Sequence, residues 1–162
     1  MRRLMDVFGF ICPDTSNLGR MSTVFTRIIN DELPGRFVYR SESVVAFLSI
    51  EPLTYGHTLV VPVKEVDRWT DLPHEIWVDV NEASQFIGDA IREAFNTPRC
   101  GYIIAGFDVP HTHIHLFPTD KMADYNFANA LAADATDPEK MDDAAARIRE
   151  ILGTDEHGWP LD

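Results

Sequence analysis

Three of the six histidines, His111, His113 and His115, alternate with other residues in one short segment. Successive side chains of a β-strand point to opposite faces, so these three are expected to share one face, with Ile114 and Leu116 facing a core. Imidazole has the ordinary pKa nearest to neutrality and can act as a nucleophile, a proton carrier or a metal ligand. The segment therefore predicts a chemical site.

Three interpretations of this row are open. The histidines could be exposed on a solvated face, although their alternation argues against chance. They could bind zinc, because a catalytic zinc ion needs about three protein ligands. Alternatively, one imidazole attacks an electrophile while its neighbours hold its tautomer and bind developing charge. His57, which follows Gly56 at the start of an apolar segment, is a fourth candidate, or a hydrogen-bonded structural residue.

The composition is that of a globular protein with one domain. The chain has 162 residues, of which 45% are hydrophobic and 25% charged, and its formal net charge is −12. This charge argues against binding to a nucleic-acid polymer, but a small pocket can still take a nucleotide. Cys12 and Cys100 form no CxxC pair and suggest neither a disulfide framework nor a cysteine zinc site, so a reducing cytoplasm is the expected location. No apolar run approaches the roughly 18–20 residues of a membrane span, so no membrane partner is expected.

Periodicity predicts the order β-β-β-α-β-β-α, an α+β domain with a mostly antiparallel sheet. A helical or extended lead-in at 24–29 and short helical stretches at 121–133 are also expected. The strands are expected at residues 37–39, 44–50, 57–61, 102–105 and 110–117, the last ended by Pro118.

Two helices carry recognisable ends. Asp71 is expected to cap a long helix with Pro73 in its first turn, and this helix should stop before Pro98. Asp137 and Gly153 should begin and end a C-terminal helix.

These elements predict a single domain over residues 21–153. Residues 1–20 are expected to form a loose extension. Residues 154–162, with Trp159, are expected to form a frayed tail.

The segment His111-Thr112-His113-Ile114-His115-Leu116-Phe117 resembles the histidine-triad (HIT) motif, His-x-His-x-His followed by apolar residues. The family pattern is also matched at Ala105-Gly106, at Val109-Pro110 and in the segments 25–29, 45–52 and 56–62. The resemblance covers residues 23–118. It implies a HIT-like domain with a five-stranded sheet, one long helix, a C-terminal helix and short helical segments.

The resemblance also implies a mechanism that needs no metal or cofactor. His113 would attack the α-phosphorus of a nucleotide and form a nucleotidyl-histidine that water hydrolyses. His115 would donate to a phosphate oxygen, while His111 and His57 would organise the pocket.

The substrate implied by the resemblance is a purine nucleotide or nucleotide conjugate. Phe25, Phe47 and Ile50 resemble the apolar residues that sandwich the base, although each is equally compatible with a core position. Family members are usually homodimers that pair through the long helix and the adjacent strand.

Several positions depart from the family pattern. Ser49 stands where an aspartate often holds the ribose hydroxyls. Phe107 stands where many members have glutamine, and Asp108, in place of serine or threonine, would repel a phosphate. Thr23 and Thr26 occupy the positions of a CxxC that binds structural zinc in bacterial members, so no such zinc site is expected.

Three functions follow from these observations. The first is a hydrolase or transferase that cleaves a nucleoside phosphoramidate or a dinucleoside polyphosphate. The altered binding positions suggest the second, a purine nucleotide-binding protein with little or no catalysis. The third is a metal-dependent hydrolase.

Overall fold

The computed structural model describes residues 22–161, so the predicted extension over residues 1–20 lies outside the described residues. Its main elements are helix α1 (Val24–Ile29), strands β1 (Phe37–Arg40), β2 (Val44–Leu48) and β3 (Thr58–Pro62), helix α2 (His74–Phe95), strands β4 (Arg99–Ile103) and β5 (Ile114–Thr119), and helix α3 (Pro138–Leu152). Short 3₁₀ turns lie at Trp69–Asp71, Met122–Tyr125, Phe127–Asn129 and Ala133–Ala135. No helix in this part of the chain has the length and apolar character needed to cross a bilayer.

The five strands form one antiparallel sheet in the order β1-β2-β3-β5-β4. This confirms the predicted α+β fold. β3 lies at the centre and places Leu59 opposite His115 and Val60 opposite Ile114 in β5. The central pairing therefore sets the position of the third histidine.

The two faces of the sheet have different coverings. One face packs on α2 and α3 through a core that includes Val60, Ile114 and Leu116, all almost fully buried. The other face packs on α1 through a second cluster that includes Phe25 and Phe47. Because side chains alternate along a strand, His115 lies on the α1 side while Ile114 and Leu116 lie on the helix side.

The histidine strand begins later than the sequence predicts. β5 starts at Ile114, and the segment before it leaves the sheet: the N–H of His111 donates to the carbonyl of Val109, and that of Thr112 to Val66. These two hydrogen bonds take the place of ladder pairing with β3. Simple alternation therefore does not govern the orientation of His111 and His113.

Other strand limits also differ from the predicted ones. β2 ends at Leu48 instead of Ile50, and β4 spans residues 99–103 instead of 102–105. β5 continues through Pro118 to Thr119. β3 pairing ends at Leu116, so Pro118 is paired only with Cys100 of β4. A proline is tolerated where a strand has one free side.

The helix ends follow the sequence with one exception. Asp71 does not cap α2: it lies in the preceding 3₁₀ turn, and Pro73 occupies the cap position without a side-chain hydrogen bond. Asp137 caps α3 by accepting from the N–H of Glu139, and Gly153 ends it with a φ of 64°.

The segment after α3 packs against β1 and is not the frayed tail that the sequence predicts. The hydroxyl of Thr154 donates to the carbonyl of Val38 at 2.8 Å, and the N–H of Arg40 donates to the carbonyl of Gly158 at 2.6 Å. The Arg40 guanidinium lies 5.9 Å from the centre of the Trp159 ring. These contacts hold the C-terminal segment at the edge of the sheet.

Candidate active site

A cavity of about 840 Å³ opens on the α1 side of the sheet. Its wall contains all of the predicted site residues except His111: His57, His113, His115, Phe25, Phe47, Ser49, Ile50, Phe107 and Asp108. The tertiary structure thus brings together side chains from four separate segments.

His57 and His115 form a directed pair. The backbone N–H of Leu53 donates to Nδ1 of His57 at 3.0 Å, so that nitrogen carries no proton in the neutral ring. The proton of His57 is then on Nε2, which lies 3.0 Å from Nδ1 of His115 and donates to it. The proton of His115 is consequently on its own Nε2. The backbone N–H of Leu53 therefore determines the tautomer of His57 and, through His57, that of His115.

His113 has the opposite tautomer. Its Nδ1 lies 2.8 Å from the carbonyl oxygen of His111, and because a carbonyl can only accept, Nδ1 must carry the proton. Nε2 of His113 is left with a lone pair and has no hydrogen-bond partner among residues 22–161. The rings of His113 and His115 are 4.8 Å apart. A nucleophilic nitrogen and a hydrogen-bond donor therefore lie next to each other on the cavity wall.

His111 lies behind the cavity and is fully buried. Its Nε2 donates to the carbonyl of Pro62 at 2.8 Å, and its Nδ1 lies 3.0 Å from the hydroxyl of Thr23. Glu65 in turn accepts from the N–H of Thr23, at 3.0 Å, and from the hydroxyl of Thr26. The network joins the start of α1 to the loop that carries His113.

The threonine pair does not suit a zinc ion. Zinc in proteins is held by thiolate, imidazole and carboxylate groups, and the hydroxyls of Thr23 and Thr26 are occupied by hydrogen bonds to His111 and Glu65. Within residues 22–161 there is no group of three or more His, Cys, Asp or Glu side chains arranged to hold a metal.

Burial lowers the pKa of every histidine of the site. The pKa of His57 falls to about 4 and that of His115 to about 3, in both cases first through desolvation and then through repulsion by neighbouring imidazoles. Desolvation also lowers the pKa of His113 and of His111. All four rings are therefore neutral at pH 7, which is the state that the tautomer assignment requires.

The structure adds site residues that the sequence did not reveal. Phe127 lines the cavity and packs edge-on against His115, with ring centres 4.9 Å apart. It lies in the polar segment after β5, which carries no periodic signal. Glu65 is a single acidic residue in a loop, and Leu53 contributes only a backbone N–H, so side-chain chemistry could not identify either of them.

The predicted substrate-binding residues differ in exposure. Phe25 and Phe47 are buried and contact each other edge-on at 5.6 Å, so they form the floor of the cavity. Ile50 is 66% exposed and Phe107 is 97% exposed, although both line the same cavity. The hydroxyl of Ser49 donates to the carbonyl of Glu51.

A family model described as the HIT domain matches residues 30–122. The chain belongs to the HIT family. The Bacillus subtilis protein called hit is 31% identical to this HIT protein over 137 residues, covering 81% of this chain and 94% of that one. A zinc-bound histidine-triad protein from Mycobacterium smegmatis has a similar structure, with a TM-score of 0.70 at 27% identity, covering 82% of this chain and 94% of that one.

Two enzymes are among the relatives of this HIT protein. An adenosine 5′-monophosphoramidase of Saccharomyces cerevisiae is 29% identical over 96 residues, which are 59% of this chain and 61% of the yeast protein. An asymmetrical bis(5′-nucleosyl)-tetraphosphatase of Schizosaccharomyces pombe is 31% identical over 93 residues, 54% of this chain and 50% of that enzyme.

The hydrogen-bond directions predict an unequal set of tautomers. At neutral pH, His113 of this HIT protein should carry its proton on Nδ1, whereas His57, His111 and His115 should carry it on Nε2. Nitrogen-15 NMR of the imidazole rings measures this directly. Thr23→Val, which removes the hydroxyl at His111, should shift the His111 nitrogens and leave the other tautomers unchanged. The same tautomer in all four rings would contradict the assignment.

The buried neutral histidines also predict acid sensitivity. The folded-state pKa values of His57 and His115, about 4 and about 3, lie below the ordinary 6.5, so the unfolded chain binds more protons between those limits. The contribution of these two neutral histidines to the free energy of unfolding is therefore fully present above pH 6.5 and is lost as the pH falls toward 4. In denaturant unfolding, the free energy of unfolding of His57→Asn should rise less steeply with pH than that of wild type, by up to about 1.4 kcal/mol per pH unit. The exposed His74→Asn control should keep the wild-type slope, and an unchanged slope in His57→Asn would refute the linkage.

Proposed function

We propose that this protein is a nucleotide hydrolase or transferase that cleaves a nucleoside phosphoramidate or a dinucleoside polyphosphate through a nucleotidyl-histidine intermediate. The observation that carries the proposal is the unprotonated Nε2 of His113, in a cavity next to the N–H donor of His115. The phosphoramidase and tetraphosphatase among the relatives support a reaction at phosphorus.

In the proposed reaction the Nε2 lone pair of His113 attacks the α-phosphorus, and the leaving group departs with the electrons of its bond to phosphorus. The ring then carries a positive charge, which is stabilised because Nδ1–H already points at the carbonyl of His111. Water next attacks the phosphorus, releases a nucleoside monophosphate and restores neutral His113.

His115 is proposed to bind the phosphate without transferring a proton to it. With a pKa of about 3, its ring is neutral at pH 7, so Nε2–H donates a hydrogen bond to a phosphate oxygen. His57 holds that N–H in place through the bond to Nδ1. The donor is thus oriented before the substrate arrives and requires little reorganisation in the transition state.

The base and the ribose are proposed to occupy the end of the cavity formed by α1 and β2. Phe25, Phe47 and Ile50 provide apolar surface for a purine ring. The ribose would lie near Ser49 and Glu51. The carboxylate of Glu51 could accept hydrogen bonds from the ribose hydroxyls, in place of the aspartate found in many members.

The second candidate is a purine nucleotide-binding protein with little catalysis. Phe107 and Asp108 favour it, because they replace groups that contact phosphate in many HIT proteins and both lie on the cavity wall. In that case nucleotide binding would be measurable and the rate of hydrolysis would not depend on His113.

A labelling experiment decides between the two. Incubation with radiolabelled adenosine phosphoramidate or diadenosine polyphosphate should give protein labelled on His113, with the acid-labile and base-stable behaviour of a phosphorus–nitrogen bond. His113→Ala should lose the label and at least about a thousandfold of kcat, because it lacks the nucleophile. The exposed His74→Ala is the matched control and should behave as wild type. Equal turnover by wild type and His113→Ala would exclude the covalent mechanism.

We also propose a homodimer that forms through α2 and β4. The outer face of these elements forms a groove of about 910 Å³ on the side away from the histidines, and it carries the half-exposed aromatic residues Phe86 and Tyr102. Exposed aromatic surface of this kind is typical of protein interfaces.

The dimer is tested by sedimentation velocity at micromolar concentration. Wild type should sediment as a dimer, and Phe86→Glu should shift it toward a monomer because a carboxylate would have to be desolvated in the interface. Met122→Glu changes an exposed residue outside the groove and should remain dimeric. Monomeric wild type under these conditions would contradict the proposal.

A cytoplasmic location is proposed as well. It rests on the two cysteines of the sequence, which lie 88 positions apart and form no CxxC motif. Localisation of a tagged full-length chain would test it.

A further inference from the structure

The segment at the end of β3, residues 62–66, holds the chain in front of β5 from one side. The N–H of Thr112 donates to the carbonyl of Val66 at 2.7 Å, and Nε2 of His111 donates to the carbonyl of Pro62 at 2.8 Å. Both bonds are made to backbone oxygens, so they do not depend on the side chains of the segment. Glu65 adds a contact that does depend on its side chain.

The carboxylate of Glu65 holds the start of α1. One of its oxygens, Oε2, accepts from the N–H of Thr23 at 3.0 Å and from the hydroxyl of Thr26. Partial burial acts to raise the pKa of Glu65, but the hydrogen bonds from Thr26 and Thr23 outweigh it and lower this pKa. The carboxylate is therefore ionised at pH 7, and hydrogen bonds to a charged acceptor are stronger than those between neutral groups.

The same carboxylate decides where the two threonine hydroxyls point. The hydroxyl oxygens of Thr23 and Thr26 are 3.2 Å apart, and either hydroxyl could donate to the other. Because the Thr26 hydroxyl gives its proton to Glu65, it has none left for Thr23. The Thr23 hydroxyl accepts from the N–H of Thr26 and donates to Nδ1 of His111 at 3.0 Å. This nitrogen has a lone pair, since the ring proton of His111 is on Nε2.

The His111 ring is thereby held at both nitrogens, and its backbone carbonyl is restrained with it. That carbonyl accepts from Nδ1 of His113 at 2.8 Å and sets the direction of the Nε2 lone pair. Glu65 is not among the described residues that line the cavity, so it does not contact a substrate bound there. Any effect of Glu65 on the reaction has to pass through Thr23 and His111.

We propose that Glu65 is a positioning residue for the reaction of His113. Its carboxylate fixes Thr23, the Thr23 hydroxyl fixes the ring of His111, and the carbonyl of His111 fixes the nucleophilic ring. The role rests on the proposed function and adds to it a residue outside the cavity. Because attack on phosphorus tolerates little misplacement, loosening this network should slow the chemical step and leave substrate binding almost unchanged.

Steady-state kinetics of the full-length protein with adenosine 5′-phosphoramidate tests this role. Glu65→Ala should lower kcat by about tenfold or more and change KM by less than about twofold. Glu65→Gln keeps an oxygen that can accept from both threonines, so it should retain kcat within about threefold of wild type. An unchanged kcat in Glu65→Ala, or a loss that appears only in KM, would overturn the proposal.

Asp67→Ala is the matched control, because it removes an exposed carboxylate two positions away and leaves the backbone in place. It should keep the wild-type kcat and KM. Thermal unfolding verifies that each variant is folded, and Glu65→Ser provides a second variant whose side chain is too short to reach α1.

A double-mutant cycle separates positioning from a general loss of structure. Thr23→Val removes the hydroxyl that donates to His111, which is the last link between Glu65 and the carbonyl. If Glu65 acts through this hydroxyl, adding Glu65→Ala to Thr23→Val should lower kcat by no more than about a further twofold. Losses that multiply would contradict the proposed path.

A measurement without turnover separates this role from the proposed function. In proton–nitrogen NMR, the Nδ1–H of His113 should keep its tautomer in Glu65→Ala but exchange with water at least about tenfold faster than in wild type, because its carbonyl partner is less well held. If wild type turns over no substrate, the proposed function fails, and this exchange rate still tests the positioning. Equal exchange rates in wild type and Glu65→Ala would overturn it.

Discussion

The site depends on one hydrogen bond, from Nδ1–H of His113 to the carbonyl of His111 at 2.8 Å. A backbone carbonyl cannot donate, so this bond leaves the lone pair of the ring on Nε2 at the cavity. Much of the surrounding structure holds that carbonyl in place. His111 is fully buried between the carbonyl of Pro62 and the hydroxyl of Thr23, and Glu65 anchors Thr23 from the other side. The orientation of the His113 ring is therefore set by packed backbone.

The second constraint is desolvation. The ring centre of His115 lies 5.2 Å from that of His57 and 4.8 Å from that of His113, in a partly buried wall. Placing charge on any of them is unfavourable there, so the rings remain neutral and differ only in where each carries its single proton. With the rings neutral, the lone pair of His113 is on Nε2, and His115 carries an N–H that can donate a hydrogen bond. These histidines therefore differ in which ring nitrogen carries the proton, and the direction of their hydrogen bonds alone sets this difference.

The position of the cavity follows from the pairing of the strands and the packing of the helices. The central strand β3 pairs with β5 only as far as Ile114, so His115 is fixed by the ladder while His113 lies in the segment that turns away from it. The helices α2 and α3 cover the opposite face with apolar side chains and leave the α1 side open for a ligand. One face of the sheet thus carries the main apolar core, and the other face carries the candidate site.

The sequence by itself determined the α+β fold and the element order, because strand alternation and helix periodicity are local properties, and the spacing of the histidines indicated a chemical site. The other residues predicted for the cavity wall came from the resemblance to the HIT family. The sequence did not determine where β5 begins, that His111 lies behind the cavity, or that Phe127 and Glu65 belong to the site. Those features depend on contacts between residues far apart in the chain, such as Thr23 with His111 and Leu59 with His115. The tertiary structure also decided the proton positions, since each depends on a partner, for example the N–H of Leu53, that only folding brings within hydrogen-bond distance.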